Sequence, residues 1–151
     1  MPSPTPELRA LLAEQAERVL HALDAACAAI SRWDREGGVL QTIVNVGDLA
    51  SEEEAFPDEE LYPLDTFPAI DALLRFGRPY LDPEDLASTA VLAHMRFGSQ
   101  AGVPLVVDGR VWGEVWIAAG LGGRALTPGD VVALARAAEA VGRLLAGHPD
   151  A

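Results

Sequence analysis

The chain predicts an α+β fold, a central antiparallel β-sheet with helices on both faces. Three observations carry this. Two apolar, β-branched runs flank Asp108-Gly109, a dipeptide suited to a type I′ hairpin turn, which needs positive φ at both central residues. Neither face of that hairpin is polar, so both faces need cover and the hairpin belongs inside a sheet. The elements run helix, strand, strand, helix, strand, helix, strand, strand, helix, with an amphipathic helix at each end.

In order, a proline-rich lead (Met1 to Pro4) precedes Thr5-Pro6-Glu7, where a hydroxyl N-cap, a first-turn proline and an acid start a helix. Leu8, Leu11, Leu12, Gln15, Val19, Ala22, Leu23 and Ala26 recur at helical spacing, so the helix runs to about Asp24. Ala25 to Trp33 and Val39 to Val46 form a second hairpin. Residues 48 to 65 read as a solvated acidic loop whose spacing matches no EF-hand, and no metal site is expected. Thr66 to Phe76 is a short helix with Phe67, Ile70, Leu73 and Leu74 inward, stopped by Gly77. Arg78 to Pro83 is extended, because each proline disfavours helix in the residue before it. Asp85 caps a helix from Leu86 to about Met95. Thr127-Pro128-Gly129-Asp130 opens the last helix, Val131 to Ala146, with Val131, Leu134, Ala138, Val141, Leu144 and Leu145 on one side.

A two-residue turn at Asp108-Gly109 sets the register of the central hairpin. Val106 then faces Val111, Leu105 faces Trp112, Pro104 faces Gly113 and Ala101 faces Trp116. One face carries Val103, Leu105, Trp112, Glu114 and Trp116; the other carries Pro104, Val106, Val111, Gly113, Val115 and Ile117. The second face is low in relief and suits close docking of the terminal helices. The first would look toward the middle helices and the acidic loop.

Composition narrows the function. All eleven basic residues are arginine, which excludes a Walker A lysine, a Schiff-base lysine and a kinase ATP lysine. A net charge of −12 disfavours direct nucleic-acid binding. Apolar runs are too short for a membrane span, and the N-terminus lacks the blocks of a signal peptide. A lone cysteine, Cys27, fits a reducing compartment, so a cytoplasmic location is expected. The expected organisation is one domain over residues 1–151: an N-terminal helix (1–24), a sheet with middle helices (25–126) and a C-terminal helix (127–147). An excised fragment and a free-standing protein both fit. An enzyme is the competing reading, and the absence of any assembled catalytic set argues against it.

The pattern resembles a GAF domain, a small-molecule sensing module, and looks most like actinobacterial examples. The residues that carry the resemblance are Tyr62-Pro-Leu-Asp-Thr-Phe-Pro, Gly77-Arg-Pro-Tyr, Gly102-Val-Pro-Leu-Val-Val-Asp-Gly-Arg-Val-Trp-Gly and Leu126-Thr-Pro-Gly-Asp. The resemblance implies a pocket on the sheet face opposite the terminal helices and a homodimer through those helices. It implies output to an effector such as a diguanylate cyclase, histidine kinase or phosphatase. Cyclic-nucleotide relatives use a lysine-containing motif that this chain lacks. Bilin-binding relatives use a pocket cysteine, and Cys27 falls at the junction of first helix and first strand instead. Sulfoxide-reducing relatives need a second cysteine. Haem-binding relatives use a histidine before the Val-Pro strand, and His94 stands there as the alternative. No cofactor is expected.

The candidate ligand site is Trp112, Glu114 and Trp116, two aromatic plates flanking a carboxylate, with Tyr80, Leu92 and Met95 from the middle segments. Such a wall suits an unknown cationic or hydrogen-bond-donating small molecule. The alternative is that the tryptophans fill the core while Glu114 is tied to Arg75, Arg78 or Arg96.

Overall fold

The computed structural model describes residues 2–82, 97–120 and 122–151. It contains α1 (Pro6–Ala22), β1 (Cys27–Asp34), β2 (Val39–Gly47), β3 (Leu61–Pro63), α2 (Pro68–Phe76), β4 (Tyr80–Asp82), β5 (Phe97–Val107), β6 (Arg110–Gly120) and α3 (Pro128–Ala146). The sequence-predicted helix from Leu86 to Met95 lies outside the described residues.

The helix termini follow the local chemistry. Thr5 Oγ1 accepts from the Leu8 N–H at 3.2 Å, and Pro6 opens the first turn of α1. At α3 the box is reciprocal, with Thr127 Oγ1 accepting from the Asp130 N–H and the Asp130 carboxylate accepting from the Thr127 N–H. Gly77 stops α2 in the left-handed conformation, φ 66°.

The strands form one antiparallel sheet in the order β3-β2-β1-β6-β5-β4. The long strands β1, β2, β5 and β6 are interior, and the three-residue strands β3 and β4 blunt the edges. β3 sits inside the stretch read from sequence as a loop. It is too short to show periodicity, and it forms by pairing Leu61–Pro63 with Val39–Gln41.

The Asp108-Gly109 turn forms with φ 52° and 77°, but the register expected beyond it is off by one residue. A bulge between Leu105 and Val106 places Leu105 opposite Gly113, Pro104 opposite Glu114, Val103 opposite Val115 and Gly102 opposite Trp116. Trp112 is the extra residue. The residue after it is glycine because the β1 backbone fills the place of a side chain: a Cβ at Gly113 would lie 1.9 Å from the Ser31 carbonyl oxygen. The faces regroup accordingly.

Val103, Leu105, Val115 and Ile117 join Leu8, Leu12, Val19, Leu134, Val141 and Leu145 beneath α1 and α3 in an aliphatic core. Trp112 packs against the margin of that core, while Val111 packs on the opposite side. Docking of α3 is close: a Cβ at Gly142 would lie 2.1 Å from the Val106 carbonyl oxygen. Each fully buried Leu or Ile here contributes about 1.5–3 kcal/mol. The second face packs Leu40, Ile70, Leu73, Leu74, Phe97 and Trp116 under α2. Leu144, expected inward on α3, is 46% exposed, and Val132 is 55% exposed.

Candidate functional site

Strand alternation, with a bulge at Ile43 of β2, turns Ser31 of β1, Thr42 and Asn45 of β2, Gln100 of β5, and Glu114 and Trp116 of β6 to the α2 side of the sheet. They line a small cavity of ≈ 30 Å³ with Tyr80 of β4, Tyr62 of β3 and Glu60 just before it, and Ile70 of α2. That is room for about one or two waters. Three sequence-predicted residues, Tyr80, Glu114 and Trp116, meet here. Trp112 does not. The bulge carries it to the terminal-helix face, where it lines a different cleft with Leu145 and His148. Leu92, Met95, His94 and Arg96 lie outside the described residues.

Glu114 is 3% exposed, and its Oε2 accepts from the Tyr80 hydroxyl at 2.9 Å. Among the described residues no arginine reaches it. Arg75 pairs with Asp71 instead, and Arg78 is exposed. Burial pushes the Glu114 carboxyl up to about 7 from an ordinary 4.5, and the Tyr80 hydrogen bond opposes part of that rise. The Tyr80 phenol is held well above its usual range, first by burial and then by the facing Glu114 carboxylate. Gly102 makes the pair possible, because a Cβ there would sit 2.6 Å from both Glu114 Oε2 and the Tyr80 ring.

A second carboxylate completes the wall. Glu60 accepts from Asn45 Nδ2 at 3.1 Å through Oε1 and from the Tyr62 hydroxyl at 3.2 Å through Oε2. Burial, reinforced by Glu60, raises the Tyr62 phenol strongly. On the β5 side the Trp116 indole N–H donates to Gln100 Oε1 at 2.7 Å, and Gln100 Nε2 donates to Asp82 Oδ2 at 3.4 Å. The arrangement presents two carboxylates, two phenols and an indole around a space with no described cation. It can accept a small cation or hydrogen-bond donor. Ser31 is the one serine among the lining residues, its hydroxyl donating to Thr42 Oγ1 at 3.3 Å, and neither cysteine nor histidine is among them.

Sequence reasoning missed Glu60, Tyr62, Asn45, Gln100, Thr42 and Ser31. A signal for four of them was present: Ser31, Thr42, Asn45 and Gln100 are polar residues inside otherwise apolar strands, and burial there requires partners. Glu60 was hidden among the acids of the 48–65 loop. Cys27 opens β1, is buried, and its thiol donates to the Asp48 carbonyl at 3.0 Å.

Among solved structures, the phycoerythrobilin-bound GAF domain from a cyanobacterial phytochrome superposes with a TM-score of 0.73 at 13% identity, over 93% of this chain and 86% of that one. The GAF domain/HD domain protein from Geobacter sulfurreducens gives 0.70 at 16% identity, over 93% and 92%. The PixJ GAF domain of Thermosynechococcus elongatus in its blue-light absorbing form gives 0.68 at 14%, over 91% and 84%. At such identities the likeness is one of fold. No curated protein matches the sequence. The GAF domain family model matches residues 7–145, nearly the whole chain, and on that match the chain belongs to the GAF domain family of sensory domains.

Proposed function

We propose that the chain is a single, non-catalytic regulatory GAF domain that senses a small cationic or strongly hydrogen-bond-donating molecule in the Glu114 cavity. The observation that carries this is the convergence of Glu114 and Glu60 on one aromatic-lined space without a described counter-cation. An ammonium or guanidinium group would supply the missing charge and hold Glu114 ionised. Its small volume suits a compact headgroup, alone or on a longer molecule.

The output route follows from strand alternation. Glu114 and Trp116 face the cavity, while Val115 and Ile117, their neighbours on β6, sit in the core under α1 and α3. A shift of β6 on binding therefore reaches the terminal helices directly. Those helices would form a homodimer and pass the change to an effector of the diguanylate cyclase, histidine kinase or phosphatase kind. Exposed Val132 and Leu144 on the outer side of α3 supply apolar surface for that contact.

The test is calorimetric titration with methylammonium and guanidinium against a sodium control, on wild type and Glu114→Gln. Saturable binding should weaken by about 1–3 kcal/mol in the variant, the size of a lost charge-assisted hydrogen bond. Equal binding by both proteins would reject the assignment.

A further inference from the structure

A second recess lies at the turn end of the sheet, apart from the Glu114 cavity. It is a cleft of ≈ 630 Å³ between the β1–β2 turn, the β5–β6 turn and the end of α3. Ligand clefts commonly have this volume. In a chain of net charge −12, three of its arginines line this one cleft: Arg32, Arg35 and Arg110.

Arg32 is the unusual one. It alternates with Ile30 on the terminal-helix face of β1 and is 7% exposed. Among the described residues the guanidinium makes one hydrogen bond, from Nη2 to the Pro2 carbonyl at 2.7 Å, and no carboxylate lies within ion-pair distance. Its Nε is buried with no partner. A buried guanidinium costs free energy unless an anion or a full set of acceptors meets it, and a single carbonyl is neither. Burial lowers its affinity for the proton, and Asp34 only partly offsets that. The Asp34 carboxylate is itself occupied, accepting from the Gly37 N–H at 2.9 Å in the turn.

The surroundings are built to hold a flat anion. Arg35 is fixed over the Trp33 ring at 3.8 Å and donates to the Val111 carbonyl at 2.8 Å, so its charge is anchored at the mouth. Arg110 is exposed beside it, and Trp112, put on this side by the bulge, adds an indole face. Two acids also line the cleft. Asp150 accepts from Thr5 Oγ1 at 2.8 Å, and Asp108 sits in the hairpin turn.

We propose that this cleft binds a small organic anion, a carboxylate or phosphate monoester on a planar body, with Arg32 as its buried anchor and Trp112 as the wall for the planar part. Arginine suits both heads because its donors form a fork that matches their oxygens. The site shares no lining residue with the Glu114 cavity, which takes the opposite charge.

The test is a 1H–15N titration of the whole chain with benzoate, phenyl phosphate, inorganic phosphate and neutral benzyl alcohol, in a chloride background. The three tryptophans give three indole N–H signals, assigned by single Trp→Phe variants. Benzoate or phenyl phosphate should shift the Trp112 signal saturably and leave Trp116 in place, and benzyl alcohol should do neither. Comparing the two aromatic anions names the preferred head, and inorganic phosphate shows how much the head binds alone. Arg32→Gln should weaken binding by about tenfold or more, the scale of a lost charged hydrogen bond. Arg110→Gln, an exposed change that leaves the fold alone, should weaken it severalfold. No saturable shift by about 10 mM, ten times a millimolar Kd, would overturn the proposal. So would an equal response to benzyl alcohol, or undiminished affinity in Arg110→Gln. If Arg32→Gln fails to fold, the Arg110 variant decides alone.

Discussion

The two faces of the sheet are made from the same strands and solve different problems. The face under α1 and α3 is aliphatic, with Val103, Leu105, Val115, Ile117 and Leu134 all fully buried. The face under α2 buries Ser31, Thr42, Asn45, Gln100 and Glu114 beside Trp116. Hydrocarbon alone would stabilise both equally well, and each buried polar group needs a partner merely to break even. The first face is a foundation. The second accepts a stability cost in order to present chemistry, and Gly102 shows how closely it is fitted.

The largest break in this contrast comes from the aliphatic side. Leu134→Ala removes a fully buried side chain from α3 and should cost about 2–5 kcal/mol in urea unfolding, with an unchanged slope. It should leave ligand binding in the folded fraction intact. Gly102→Ala strikes the polar side. Its Cβ would drive Tyr80 and Glu114 apart, leaving a buried carboxylate without its donor, at about 1–3 kcal/mol. Denaturation together with the Tyr80 ring signals in NMR checks this, and a wild-type midpoint would contradict it. The smallest stability effect is expected for Leu144→Glu, within about 0.5 kcal/mol because the side chain is half exposed. If the proposed helix contact forms, light scattering should nevertheless show a dimer for wild type and a monomer for the variant. A wild-type monomer at high micromolar concentration would refute that contact.

The architecture was legible because its signals are local. Thr5-Pro6, Thr127 to Asp130, Gly77 and Asp108-Gly109 each act through chemistry within a few residues, and each sits where its pattern places it. The site was half legible. Glu114, Trp116 and Tyr80 stand out by type, but Trp112 was assigned to the wrong face. A period-two count runs true only until a strand takes an extra residue, and nothing in Val111-Trp112-Gly113 announces a bulge except a glycine. The Leu12 and Leu144 pair shows the same limit on a helix: both belong to apolar stripes, yet Leu12 is fully buried and Leu144 is half exposed. Glu60 and Tyr62 could not be found locally. Their role depends on β3 pairing with β2 across the loop, a long-range contact that three residues cannot encode.

The central claim is that Glu114 on the polar face has no cation among the described residues, and the pH dependence of stability tests it most directly. The folded-state value of Glu114 lies near 7, above its ordinary 4.5. Between these two values the native state binds more protons than the unfolded state, so stability must fall as pH rises through the window. The favourable contribution is complete below about pH 4.5 and lost above about pH 7, amounting to roughly 3 kcal/mol. Urea unfolding of wild type and Glu114→Gln from pH 4.5 to 8 isolates the term, because glutamine keeps the acceptor for Tyr80 and carries no charge. The account predicts that the variant loses this slope and is more stable than wild type by about 3 kcal/mol at pH 8, while the two nearly coincide at pH 4.5. Parallel curves with no gap opening toward high pH would show that Glu114 is already satisfied, and would contradict it.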